Sequence, residues 1–306
     1  MAPTVLVTGA TGKQGFATVR HLLAARAQVH ALVRDPSSPV SLELVQLGAR
    51  ICPGTFDDLD SMKAAAAGTT AVFLNVTPTI KEPELELHHA QNIIQAAKEA
   101  GTVTSIIYSS VVMAGKHESF PNWGPGYPSG WYWTSKAAIE STVRSAGFAQ
   151  WTILRPAFLM GNYLSPAADL MFPDLPQRHT FLTAYEPDNA MTVCDPDDVG
   201  KFAASAFLEP ERYNHEEVDL GVEALTSKEI SQSLTKASGK DIKAEFYPAE
   251  EVAALSKVNP VVRAQCWANE VGYKMDFEAL KKYPIKLTTF GEYLQREKGL
   301  VRNTFG

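Results

Sequence analysis

The sequence predicts an α/β fold, a doubly wound parallel sheet followed in the chain by a smaller C-terminal lobe. Three observations carry this. Short apolar runs alternate with helix-patterned segments through the first half of the chain, as strands and crossover helices do in parallel sheets. The runs are nearly unbroken, as in strands covered on both faces. The first of them, Val5-Leu6-Val7, leads straight into Thr8-Gly9-Ala10-Thr11-Gly12-Lys13-Gln14-Gly15 and then an amphipathic segment from Phe16 to Ala25.

The elements follow in order. Thr4 to Thr8 reads as strand one, with helix one after the glycines. Gln28 to Val33 is strand two, and Asp35-Pro36-Ser37-Ser38-Pro39 is a loop by composition. Leu42 to Leu47 is a short helix closed by Gly48, and Arg50 to Pro53 is strand three. Asp58 to Ala67 is helical and stops at Gly68. Ala71 to Val76 is strand four, Glu84 to Ala100 a long helix stopped by Gly101, and Ser105 to Ser109 strand five. Tyr132 to Ala146 is a helix ending at Gly147, and Trp151 to Leu154 is strand six.

After Arg155-Pro156 the pattern changes. Gly161 to Pro187 is rich in proline, aromatics and leucine without clean periodicity, and reads as part of a substrate-side lobe. Asp195-Pro196-Asp197-Asp198 caps a helix from Val199 to Leu208. Ser227 to Ser238, Pro248 to Leu255, Phe277 to Lys282 and Thr289 to Lys298 read as further helices. The expected organisation is therefore a Rossmann domain over residues 1–156 and a mainly substrate-binding lobe over 157–306, with 190–208 returning to the first domain.

Composition excludes several classes. The chain has 306 residues, 45% of them apolar, enough for a large core. Its net charge is −6 and it has no basic block, which argues against nucleic-acid binding. Cys52, Cys194 and Cys266 lack metal-ligand or CxxC spacing, so no metal is expected and the thiols read as reduced, buried hydrophobes. No run of 18 apolar residues is present and strand one starts almost at the first residue, so neither membrane span nor signal peptide is expected, and the location reads as cytoplasmic.

The glycines between strand and helix are the strongest chemical signal. One permits backbone angles closed to residues with a Cβ, one lets the chain approach a pyrophosphate, and one lets helix and strand pack closely. The helix N-terminus adds free N–H groups and partial positive charge. Arg34 precedes Asp35 after strand two. An arginine there suits a 2′-phosphate and an acid suits a ribose diol, so the order, with Lys13 as a second cation, favours NADP (as NADPH) over NAD. Asp58 suits a helix cap, leaving Asp57 as the candidate for the adenine. Asn75 and Thr77 end strand four, where such a sheet places its ligand crevice.

Tyr132 and Lys136 stand four apart on one helix and share a face. A tyrosine hydroxyl near an ammonium has its phenolate favoured and can exchange a proton with a carbonyl or alcohol oxygen. Ser109 and Ser110 end strand five, and either hydroxyl could hold that oxygen. Trp123, Trp131 and Trp133 crowd the region, as pocket wall or as core.

These residues resemble the NmrA-like family, in the atypical branch of the short-chain dehydrogenase/reductase superfamily. The similarity is carried by Thr8 to Gly15, Val33-Arg34-Asp35, Tyr108-Ser109-Ser110, the Lys136 helix with Glu140, Thr152 to Pro156 followed by Phe158 and Met160, and Asp195 to Gly200. The resemblance implies pyrophosphate contact for the loop of Gly9, Thr11, Gly12, Lys13, Gln14 and Gly15, nicotinamide-ribose contact for Lys136, and a place for Pro156 in the cofactor set. It covers both dinucleotide-binding regulators and reductases. The tyrosine at the matching spacing points to the enzymes. The expectation is an NADP-dependent oxidoreductase reducing a hydrophobic carbonyl or conjugated small molecule of secondary-metabolite type. An NADP(H)-sensing regulator without turnover, and an isomerase or dehydratase, are the alternatives. A homodimer or a regulatory protein partner stays open.

Overall fold

Glycine and capping residues set most element boundaries in the computed structural model, which describes residues 2–306. The chain runs β1 (Thr4–Val7), α1 (Lys13–Ala24), β2 (Gln28–Val33), α2 (Pro39–Leu47), β3 (Arg50–Pro53), α3 (Leu59–Ala66), β4 (Ala71–Leu74), α4 (Leu85–Glu99), β5 (Ser105–Ser109), α5 (Gly130–Ser145) and β6 (Gln150–Pro156). It continues with β7 (Phe158–Leu159), α6 (Ala167–Met171), α7 (Asp174–Arg178), β8 (Thr180–Thr183), β9 (Ala190–Cys194), α8 (Pro196–Leu208), α9 (Pro210–Tyr213) and β10 (Glu216–Leu220). Last come β11 (Glu223–Thr226), α10 (Ser227–Ser238), β12 (Lys243–Phe246), α11 (Ala249–Val258), α12 (Pro260–Glu270), α13 (Phe290–Arg296) and α14 (Lys298–Phe305).

Two compact units result. The first comprises residues 1–117, 130–156 and 196–219, and the second the remainder. The first holds a seven-stranded sheet in the order β10-β6-β5-β4-β1-β2-β3. Every neighbouring pair from β6 through β3 is parallel. The order reverses at β1, which lies between β2 and β4, so the crevice at their carboxyl ends is the topological switch point. Leu6, Val72, Leu74, Ile106, Tyr108 and Ile153 from the strands meet Ile93, Ala97, Ile139 and Val143 from α4 and α5 in a continuous core. On α8, a Cβ at Gly200 would lie 2.6 Å from the backbone carbon of Ala17, so that glycine sets how closely α8 packs on α1.

The second unit has a three-stranded sheet, β11-β9-β7, and the parallel pair β12-β8. Its core is aromatic: Tyr163 stacks on Phe172 at 5.6 Å between ring centres and meets Phe181 and Phe290 edge-on. Here the expectations need correction. Residues 190–194 do not return to the first domain, because β9 pairs with β11 and β7. The return begins at Pro196 and continues past 208 through α9 and β10. Residues 118–129 fall in the second unit because Phe120 is buried there against Trp267, with ring centres 5.8 Å apart. The stretch from Gly161 to Pro187 contains two short helices and a strand where no periodicity was legible. Among the described residues no helix is long and apolar enough to cross a membrane.

Candidate active site

The glycine turn is built from the residues upward. Gly9 has φ +61°, and a Cβ on it would lie 3.0 Å from the Asn75 side-chain nitrogen. Thr8 joins the turn to the end of β4: its hydroxyl donates to the carbonyls of Phe73 and Asn75, at 3.0 and 3.2 Å, and accepts the Asn75 N–H at 2.8 Å. A Cβ at Gly15 would sit 2.1 Å from the Gly9 carbonyl oxygen, so helix and turn touch through backbone alone. Gly12 is the N-cap of α1 and supplies no side-chain cap. Thr11, Gly12 and Lys13 are exposed and Gln14 is half-buried. A helix start left without a side-chain cap, beside an exposed backbone turn, is a ready cradle for a phosphate.

Along the carboxyl edge of the sheet the other candidates differ in their commitments. Arg34 is exposed just after β2 and has no ion-pair partner among the described residues. The Asp35 carboxylate is spent on its own loop. It accepts the Ser37 hydroxyl at 2.6 Å and the Ser37 N–H at 2.9 Å, which together hold it below the usual carboxylate range. Asp58 caps α3 as expected. Asp57 is paired with His89 at 2.9 Å, a partner from α4 that sequence reasoning missed. Thr77 is exposed beyond β4. Pro156 is buried at the end of β6, where its carbonyl accepts the Val112 N–H at 3.2 Å.

Tyr132 lies in the first turn of α5 and Lys136 one turn later. The Lys136 ammonium stands 5.7 Å from the centre of the Tyr132 ring and 5.8 Å from that of Tyr108 on β5, within cation–π range of both. It is almost wholly buried and pairs at 2.6 Å with Glu86, whose side chain is fully buried. The other Glu86 oxygen accepts the Ser135 hydroxyl at 2.9 Å. Glu86 did not emerge from the sequence. The available signal was its register: it shares the inward face of α4 with Ala90, Ile93 and Ala97, an apolar stripe where a carboxylate needs a partner. Burial, followed by the charges of Glu86 and Glu140, drives the Tyr108 phenol well above the usual tyrosine range.

Both serine hydroxyls expected to hold a substrate oxygen have acceptors within the protein. Ser109 donates to Gln14 Oε1 at 2.5 Å. Ser110 donates to Glu140 Oε1 at 2.7 Å. Glu140 also accepts from Arg155 at 2.6 and 2.8 Å and from Arg144 at 2.8 Å, and Arg155 pairs with Glu217 at 2.6 Å. Ser110 is thus a strut in a buried ion network. Trp131 and Trp133 meet the Tyr132 ring edge-on at 6.0 and 5.1 Å, whereas Trp123 packs on Phe120 and Tyr127 in the second unit.

Comparison with known proteins agrees with this architecture. The model described as the NmrA-like family matches residues 1–294. An NmrA-like family domain-containing oxidoreductase, notA, from Aspergillus sp. (strain MF297-2), is 32% identical over 266 residues, covering 81% of this chain and 76% of that protein. The Escherichia coli NADPH-dependent quinone oxidoreductase QOR2, solved with NADPH, superposes with a TM-score of 0.75 at 23% identity, covering 96% of this chain and 99% of that one. The Citrobacter sp. triphenylmethane reductase, solved with NADP(H), does so with a TM-score of 0.76 at 20% identity, covering 96% and 99%.

Proposed function

Because the chain belongs to the NmrA-like family, we propose that it is an NADP-dependent reductase acting on a hydrophobic carbonyl or conjugated small molecule. The observation that carries this reading is the Lys136 ammonium, buried against the Tyr132 ring at 5.7 Å on the first two turns of α5. The glycine cradle and the exposed Arg34 supply matching features for a phosphorylated dinucleotide. The oxidoreductase relative and the two reductases solved with NADPH or NADP(H) support the cofactor and the reductive direction.

A bound NADPH would supply the hydride. The backbone N–H groups from Gly9 to Gly15 hold its pyrophosphate, with the Thr11 and Gln14 side chains beside them. Arg34 and Lys13 pair with the 2′-phosphate. Asp57 would serve the adenine, and Asn75, Thr77 and Pro156 would complete the set that holds the cofactor. Lys136 bonds the ribose and steadies the phenol of Tyr132, which donates a proton to the substrate oxygen. Ser109 suits that role better than Ser110, since its acceptor is the neutral amide of Gln14, whereas Ser110 bonds a carboxylate buried in an ion network.

A second reading, a dinucleotide sensor without turnover, draws on one observation: both serine hydroxyls already have protein acceptors. The two separate in one experiment. Purified protein is titrated with NADPH by calorimetry and then incubated with NADPH and a panel of quinones, enones, azo dyes and triphenylmethane dyes. Oxidation of the cofactor in step with product formation is the expected result. Tight NADPH binding with no member of the panel reduced would favour the sensor.

A further inference from the structure

We propose that Glu86 is a positioning residue that acts through Lys136, fixing the ammonium between the rings of Tyr108 and Tyr132. This rests on the reading of Lys136 as the contact to the dinucleotide ribose and to Tyr132. The argument begins with burial. Lys136 and Glu86 retain 5% and 0% of their side-chain exposure, and a charge so far from water is retained only with a counter-charge and satisfied hydrogen bonds. Glu86 provides the counter-charge at 2.6 Å, from a different helix fifty residues earlier in the chain.

The geometry leaves Lys136 with work to do. An ammonium has three N–H donors, and Glu86 Oε1 meets it at 2.6 Å as an ion pair without the angular geometry of a hydrogen bond, so that oxygen has no hydrogen-bond donor of its own among the described residues. The carboxylate is itself immobilised, since its second oxygen accepts the Ser135 hydroxyl at 2.9 Å, from the residue next to Lys136. The two rings at 5.7 and 5.8 Å flank the same ammonium. Carboxylate and rings together therefore fix where the ammonium and its donors stand, where a flexible four-carbon stem alone would not. Stability gives a poor account of such a pair, because apolar residues of similar volume are commonly as stable in its place.

The test is a double-mutant cycle on E86Q and K136M, with E86D alongside. Turnover, substrate KM and NADPH Kd are measured for each protein. E86Q should lower kcat by roughly 10- to 100-fold with little change in substrate KM, the usual consequence of a misplaced catalytic group. In the K136M background the same substitution should change kcat by less than about twofold, since the residue through which Glu86 acts is gone. E86D, which keeps the charge on a shorter stem, should recover part of the loss. Should E86Q fold poorly, E86D and the uncharged E86Q/K136M double variant still report. Equal loss from E86Q in both backgrounds would overturn the proposal, as would full activity in E86Q alone. If the wild type reduces nothing in the panel, the reductase reading fails separately. The cycle is then read in NADPH Kd, where E86Q should weaken binding by about tenfold only when Lys136 is present, the range for a hydrogen bond to a charged group. An effect on Kd independent of Lys136 overturns the proposal there too.

Discussion

Replacing Gly15 by alanine puts a methyl carbon 2.1 Å from the Gly9 carbonyl oxygen, 2.6 Å from the Gly9 carbonyl carbon and 2.9 Å from the Ala10 Cα. All three are backbone atoms, so no side chain can rotate aside. Restoring ordinary contact, which starts near 3.4 Å, requires the turn and the first turn of α1 to separate by about 1.3 Å. Overpacking of this kind costs about 1–3 kcal/mol. For a chain of this size that lowers Tm by roughly 2–10 °C. Gly12 offers the internal control. A Cβ there meets only the Gly9 oxygen, at 3.3 Å, and its φ of −84° suits any residue. Gly12→Ala should therefore keep Tm within about 2 °C. Gly15→Ala should lose NADPH affinity because the cradle is displaced, and a third variant, Gly12→Val, because its larger side chain occupies the space of the phosphate, by about tenfold or more each. Scanning calorimetry and NADPH titration on the same preparations make the comparison. A Gly12→Val protein that folds and binds NADPH like the wild type would refute the assignment of the loop to the pyrophosphate. A Gly15→Ala protein of unchanged Tm would refute the packing argument.

The other predictions concern single side chains. Arg34→Ala should raise the NADPH Kd by roughly tenfold to a hundredfold and leave NADH nearly unaffected, since only NADPH carries the 2′-phosphate; equal losses in titrations of both cofactors would make Arg34 structural. Tyr132→Phe should lower kcat by roughly 10²–10⁴ with NADPH Kd unchanged, whereas Lys136→Ala should impair both; steady-state rates for Tyr132→Phe equal to the wild type would rule out tyrosine as the acid. The last prediction is a pH dependence. Burial raises the Asp197 carboxyl, but the hydrogen bond from His21 and the charges of His21, Arg20 and Lys201 outweigh it and hold the group well below the usual carboxylate range. A depressed folded value adds stability above the unfolded carboxylate pKa of about 4, lost as pH falls through the folded value. Asp197→Asn should therefore cost about 1.5 kcal/mol at neutral pH, the low end because Arg20 is half exposed, and the gap from wild type should close in acid. Chemical denaturation at two pH values checks it, and a gap of constant size would contradict it.

Much of the first unit was legible because its signals are local. Strand and helix periodicities, Gly12 at the start of α1, Asp58 at the head of α3 and Gly48 after α2 each act over a few residues, so sequence order alone fixes β1 through β6. The four-residue spacing of Tyr132 and Lys136 was readable for the same reason. The family resemblance, too, rests on contiguous motifs. What sequence could not decide were pairings between distant segments. Glu86 meets Lys136, His89 meets Asp57, and Ser110 and Arg155 meet Glu140 only after the sheet has aligned their elements. The same holds for β9, whose residues look like any short apolar strand and whose sheet is set by its partners β7 and β11. Between Gly161 and Pro187, helices of five residues are too short to show a period. Sequence determined the α/β alternation, the glycine turn and the Tyr–Lys face, while tertiary structure decided which charges meet, because a buried ammonium takes its counter-ion from whatever the folded core brings within about 3 Å.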